Sequence, residues 1–242
     1  MDHGHGKLIP MDMHTVGLIG GMSYHSTVDY YMGINDAVAE QMGGHTSAPL
    51  IISSVNFQQV RDLQLADDWD GAGRLLAHHA RLLQDAGAEA VVICTNLMHK
   101  TAPMVEEAID VPLLHIVDAV AEAARERNLS SLGIMGAQWT MAGGFYSDLL
   151  ADKGITPVIA SEDDIALTDR IVFDELTRGI ILDSSRSLLL GVVDRLSRAG
   201  AEGVVLACTE LPLTLSQDIT PVPLIDSTQA HVAAAVRFIL GE

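Results

Sequence analysis

The chain has 242 residues, 48% of them hydrophobic, with 14 Lys and Arg against 32 Asp and Glu, a formal net charge of −18, and 2 cysteines. This length allows one large domain or two of roughly 100–200 residues, either of which buries about 70–75% of its unfolded surface. The charge excludes nucleic-acid and polybasic-membrane partners, which need clustered Lys and Arg; two cysteines make no disulfide framework, and no apolar run approaches the ~20 residues of a membrane span. A reduced, cytoplasmic, globular protein is expected.

In chain order, residues 1–14 are His- and Met-rich without an apolar signal-peptide core, and read as a flexible extension. Short Val-, Ile- and Leu-rich runs at 16–19, 50–55, 90–94, 132–135, 155–159 and 203–207 suit buried parallel strands. Asp67-Asp68-Trp69-Asp70 caps a helical pattern over 70–86, with Leu75, Leu76, Leu82 and Leu83 on one face. His78 and His79 are adjacent on that helix and read as surface residues. A second pattern, 184–198, carries Leu188, Leu189, Val192, Val193 and Leu196, and a last one runs from Thr228 to Leu240. Strand–helix alternation of this kind gives right-handed βαβ units with helices on both faces of a sheet.

Self-comparison is more informative still. Ala86-Gly87-Ala88-Glu89-Ala90-Val91-Val92-Ile93-Cys94-Thr95 matches Ala199-Gly200-Ala201-Glu202-Gly203-Val204-Val205-Leu206-Ala207-Cys208-Thr209, with Ala207 as the one inserted residue. Val16-Gly17-Leu18-Ile19-Gly20 matches Leu132-Gly133-Ile134-Met135-Gly136 at an offset of 116, which also sets Tyr30 on Tyr146. Val111-Pro112-Leu113-Leu114 echoes Val222-Pro223-Leu224-Ile225. The expected fold is α/β: two pseudo-symmetric three-layer αβα domains with mostly parallel sheets, arising by internal duplication. Residues 15–115 plus 226–242 form the first domain and 116–225 the second, with the site at their interface.

Cys94 and Cys208 each follow an apolar strand and precede Thr, at what reads as one repeat position. Ligands of open α/β sheets bind outside the carboxyl ends of the strands. Opposed thiols on two walls of a cleft suit inversion of a carbon stereocentre, which needs a base on one face and an acid on the other. A thiol of pKa near 8.5 cannot hold a Cα anion unaided, so donors must stabilise the developing enolate. The backbone N–H groups of Gly20-Gly21-Met22-Ser23, Thr95-Asn96 and Thr209-Glu210 are candidates. A pyridoxal phosphate enzyme needs a Schiff-base lysine; of the three lysines, Lys7, Lys100 and Lys153, none follows a phosphate cup. Neither GxGxxG, a Walker sequence, His-x₃-His nor Cys-x₂-Cys occurs. No cofactor and no metal are expected. His99 reads as a capping or supporting residue and His231 as a structural one in the first turn of the last helix.

These residues resemble the aspartate/glutamate racemase family. The resemblance runs from Thr15 to Leu240 and is carried by Gly17-Leu18-Ile19-Gly20-Gly21-Met22-Ser23, Cys94-Thr95-Asn96-Leu97-Met98-His99-Lys100, Thr140-Met141 with Phe145-Tyr146, Cys208-Thr209-Glu210-Leu211, and Asp226 to His231. It implies cofactor-independent racemisation of an amino acid, two similar α/β domains, and commonly a homodimer. It implies Cys94 and Cys208 as the acid/base pair, with Met22, Ser23, Gln64, Thr95, Asn96, Thr140, Thr209 and Glu210 around the substrate. The family often has Thr where this chain has Leu97, and Gly-Thr where it has Gly136-Ala137. Members acting on acidic substrates often have a basic residue before the helix at 168–177, where Ala166-Leu167 stand here and Arg170 follows one turn on. Arg61, Lys100 and Arg170 are the candidate cations for a second carboxylate. Two other functions fit a duplicated α/β chain: a decarboxylase or cis–trans isomerase of small dicarboxylates, and a two-lobed small-molecule binding protein.

Overall fold

A computed structural model describes residues 13–142 and 144–242. The first half runs β1 (Val16–Gly20), α1 (Tyr24–Met42), β2 (Leu50–Ser54), α2 (Phe57–Leu65), α3 (Trp69–Asp85), β3 (Ala90–Ile93), α4 (Ala102–Glu106) and β4 (Leu113–Leu114). The second runs α5 (Ile116–Glu126), β5 (Ser131–Gly136), α6 (Gln138–Ala142), α7 (Phe145–Asp152), β6 (Thr156–Val158), α8 (Glu162–Asp174), α9 (Asp183–Arg198), β7 (Gly203–Ala207), β8 (Leu224–Asp226) and α10 (Ser227–Leu240). Two four-stranded sheets result, ordered β2-β1-β3-β4 and β6-β5-β7-β8, with every pairing parallel. Equivalent strands thus occupy equivalent places, and the duplicated α/β architecture read from the sequence is the one observed.

Both faces of each sheet are covered. Val16, Leu18, Ala90 and Val92 pack with Tyr30, Ile34 and Val38 of α1 and with Val232, Val236 and Ile239 of α10. The other face packs Ile19, Val91 and Ile93 against Leu76, Ala80 and Leu83 of α3. Apolar residues on both faces explain why these strands read as continuous hydrophobic runs rather than alternating ones. In the second half, Ile134 and Val205 meet α5 and α7, while Met135, Val204 and Leu206 meet α8 and α9. α10 follows the second sheet yet closes the core of the first. Tyr30 and Tyr146, the pair related by the repeat, are both fully buried. No described helix is long and apolar enough to cross a membrane.

Several expectations change in detail. Residues 1–12 of the expected extension lie outside the described residues, whereas His14 belongs to the fold: its N–H donates to the Ile239 carbonyl (2.9 Å) and its ring meets Glu89 (2.9 Å). The helix expected over 168–177 begins earlier, at Glu162, because Ser161 caps it by accepting from the Asp164 N–H (3.2 Å); Ala166 and Leu167 are therefore mid-helix. His231 sits in the second turn of α10, not the first, because Asp226 is the cap and Ser227 the first helical residue.

The repeated glycines of the central strands have a packing reason. A Cβ on Gly17 would lie 2.9 Å from the Cβ atoms of Ala88 and Leu83, and one on Gly133 would lie 3.0 Å from the Cβ of Leu196. Each glycine lets the helix before the third strand settle directly on the sheet. Since the clashing atoms are anchored to the backbone, Gly17→Ala should destabilise the protein by ~1–3 kcal/mol. A urea midpoint matching wild type would contradict that packing.

Candidate active site

The carboxyl ends of the strands in both sheets open onto one cavity of about 570 Å³. The turn after β1 forms its first wall. Gly21 has φ +90°, and a Cβ there would lie 2.3 Å from the Val55 carbonyl oxygen, so only glycine fits. The Gly21 N–H donates to Thr27 Oγ1 (2.8 Å), whose hydroxyl donates to the Ser23 carbonyl (3.0 Å). Ser23 caps α1. These contacts set the first turns of α1 along the cavity, presenting Ser26 and Asp29.

Met22, Ser23, Gln64, Thr95, Asn96, Thr140, Thr209 and Glu210 all line this cavity, as does Cys208. Asn96 Nδ2 donates to Ser227 Oγ (2.9 Å), which donates to the Leu206 carbonyl (2.8 Å), while Asn96 Oδ1 is buried without a partner among the described residues. A hydrogen-bond chain crosses from one half to the other: Ser26 Oγ donates to Thr209 Oγ1 (3.0 Å), and Thr209 Oγ1 to Glu210 Oε2 (2.8 Å). The Cys208 thiol donates to the same carboxylate oxygen (3.0 Å). Burial pushes the Cys208 thiol well up, and the negative charge of Glu210 adds to the shift.

The second cysteine is placed differently. Cys94 is fully buried among Val16, Leu18, Val92 and Tyr30, and is absent from the cavity wall. Burial alone raises its pKa. Strand register explains the asymmetry. Leu18 pairs with Val92, and its repeat equivalent Ile134 pairs with Val205; Cys94 therefore corresponds to Ala207, and Cys208 lies one residue further on. Side chains alternate between faces along a strand, so one extra residue reverses the direction. Ala207 accordingly packs with Val205, while Cys208 packs on the opposite side with Val204 and Leu206. The two cysteines are not at one repeat position: Cys208 lines the cavity one residue beyond Ala207, which is in register with Cys94 and also lines it, whereas Cys94 does not.

Of the candidate cations, Arg61 alone lines the cavity. Lys100 stacks over Trp69, 3.9 Å from the ring centroid, and Arg170 lies 3.8 Å from Glu175. Among the described residues no lysine lines the cavity, and no three His, Cys, Asp or Glu gather as metal ligands. Ser26, Asp29, Phe57, Phe173 and Leu213 are further wall residues that the sequence reading passed over. For Ser26 and Asp29 the one visible signal is their i+3 and i+6 spacing from the cap Ser23; Phe57, Phe173 and Leu213 carry none.

Beside the cavity, His99, His115 and His231 stack, with ring centroids 4.6 Å and 5.5 Å from His99. His99 Nδ1 donates to the Thr95 carbonyl (2.8 Å) and its Nε2 accepts from the Ile116 N–H (3.3 Å). His115 caps α5 through Nδ1 (3.1 Å from the Val117 nitrogen). His231 Nε2 donates to the Leu114 carbonyl (2.7 Å) and Nδ1 accepts from the Tyr30 hydroxyl (2.8 Å). All three are thus held neutral, as supports for the Thr95 loop and α5 rather than as cavity groups. His79, expected at the surface, is half-buried because its ring bonds Ser53 Oγ (2.7 Å).

A duplicated α/β protein with a thiol-walled cleft between its halves is one class of fold and site. The chain belongs to the Asp/Glu/Hydantoin racemase family, whose model matches residues 19–235. A Yersinia pestis protein assigned as an Asp/Glu racemase is 40% identical, covering 94% of this chain and 100% of its own, with a TM-score of 0.90. An aspartate racemase homologue from Pyrococcus horikoshii is 30% identical over 94% of this chain and 99% of its own, with a TM-score of 0.82. A glutamate racemase from Pseudomonas entomophila is 28% identical over 173 residues, 69% of this chain and 63% of that enzyme.

The histidines make a stability prediction. Burial pushes His115 and His231 down to about 4 and His99 well below its ordinary value. In the unfolded chain they titrate near 6.5, so below that pH the unfolded state takes up protons the folded state refuses. Their stabilisation is complete above about pH 6.5 and is lost as the pH falls toward 4, on the order of 3 kcal/mol for each of the two fixed values. Urea midpoints should drop between pH 7.5 and 5, and less steeply in His115→Asn, which keeps a cap without the titration. Equal slopes for the two proteins would contradict this assignment.

Proposed function

We propose that the protein is a cofactor-independent amino-acid racemase in which Cys208 and Cys94 exchange the Cα proton from opposite faces. The observation that carries it is the Cys208–Glu210 pair in the cavity wall, a thiol already donating to a carboxylate. Glu210 takes the Cys208 proton, and the resulting thiolate takes the proton from Cα. The Gly21 and Thr95 N–H groups are spent on Thr27 Oγ1 and the Ile93 carbonyl, so the backbone N–H groups of Met22, Ser23 and Asn96 stabilise the enolate. The Cys94 thiol, protonated because it is buried, then gives its proton to the other face of Cα and is left as the thiolate, ready for the reverse reaction. Cys94 must leave the core to do so. The unpartnered Asn96 Oδ1 is a ready acceptor for the substrate ammonium. An exposed stripe along α1, Tyr24, Val28, Tyr31 and Met32, supports a homodimer.

One observation favours a second reading. Only Cys208 faces the cavity, which suits single-thiol chemistry such as decarboxylation or cis–trans isomerisation of a small dicarboxylate. Single substitutions separate the two. For a racemase, Cys94→Ala and Cys208→Ala should each lower D/L interconversion, followed by chiral chromatography, by ~10²–10⁴-fold, the range of a general acid–base group. Undiminished interconversion in Cys94→Ala would overturn the two-thiol mechanism, and decarboxylation or cis–trans isomerisation of a small dicarboxylate that survives in Cys94→Ala but not in Cys208→Ala would establish the second reading.

A further inference from the structure

The charges around the cavity are few enough to be matched one by one. Arg61 is the one Lys or Arg among its described wall residues. It is half-buried and already engaged: Nη1 donates to Gln64 Oε1 (3.0 Å), and Cζ lies 5.5 Å from the Trp139 ring centroid and 5.4 Å from that of Phe173. Two carboxylates stand in the same wall, Glu210 and Asp29. Burial first, and then the charge of Glu210, raise the pKa of Asp29, with His25 of the same wall acting in the opposite direction.

An amino acid with an uncharged side chain matches this inventory. Its carboxylate takes the backbone donors with Arg61 at hand, and its ammonium takes Asp29, since Glu210 holds the Cys208 proton during the reaction. A dicarboxylic amino acid brings a second carboxylate to a wall that already carries Asp29 and Glu210, where Arg61 is the one permanent cation among the described residues and His25 the one histidine. Five large apolar side chains also line the cavity, Phe57, Leu97, Phe173, Leu176 and Leu213. Burying a charge against such a surface is costly without a partner, whereas burying methylene groups there is favourable.

Resting on the racemase reading, we infer that the substrate carries an uncharged, largely apolar side chain rather than a second carboxylate. Arg61 serves the α-carboxylate and the contact between the two halves, and does not select an acidic side chain.

The test is Cα–H exchange in deuterium oxide, followed by proton NMR, with L-leucine, L-methionine, L-aspartate, L-glutamate and L-lysine as separate substrates. Leucine or methionine should exceed aspartate and glutamate in kcat/KM by more than about tenfold. Arg61→Gln should weaken leucine and aspartate by the same factor. Faster exchange of aspartate or glutamate, or a selective loss of aspartate exchange in Arg61→Gln, overturns the inference and leaves the racemase reading standing. Lysine as the fastest substrate overturns it too, by assigning the acidic wall to a cationic side chain. Exchange of none of the five overturns the racemase reading and this inference with it.

Discussion

The site depends on one short hydrogen-bond chain, from Ser26 in the first half through Thr209 to Glu210, where the Cys208 thiol ends it. It fixes the spacing of the two halves at the cavity and places a proton acceptor on the reactive sulfur. Buried polar networks of this kind are valuable only when complete. The turn that delivers Ser26 is specified by Gly21, Thr27 and the Ser23 cap, and the strand that delivers Cys208 is clamped at the centre of the second sheet. A weak thiol acid and a carboxylate become useful because rigid elements hold them together.

Duplication supplies two equivalent sheet ends facing one cleft, and a single residue then breaks the equivalence. With Ala207 inserted, one thiol lines the cavity and the other is sealed in the core beside Tyr30. The two faces of a bound amino acid therefore meet unequal environments before reaction. On this account the conformational step lies on the Cys94 side, where the stacked histidines hold the Thr95 loop and α5.

Much of this was legible in the residues. The apolar runs marked the strands, because a strand buried on both faces needs no alternation. Gly17 and Gly133 marked the repeat, because each meets a helix at the same place. The eight wall residues named with the family resemblance all fall on the cavity. The direction of each thiol was hidden: it follows from the ladder pairing of Leu18 with Val92 and Ile134 with Val205, which an alignment with a gap conceals. Arg61 could be named as a cation, but its neighbours Trp139 and Phe173 lie far along the chain. α8 starts before its apolar pattern because the Ser161 cap sets its first turn.

The central claim is that two thiols serve opposite faces of one carbon, and enantiomer-resolved hydrogen exchange in the Cys94→Ala protein tests it most directly. With Cys208 alone, the Cα proton of one enantiomer should wash out into deuterium oxide without inversion, while the other enantiomer keeps its proton. Exchange of both enantiomers at similar rates, or continued inversion, would contradict the account.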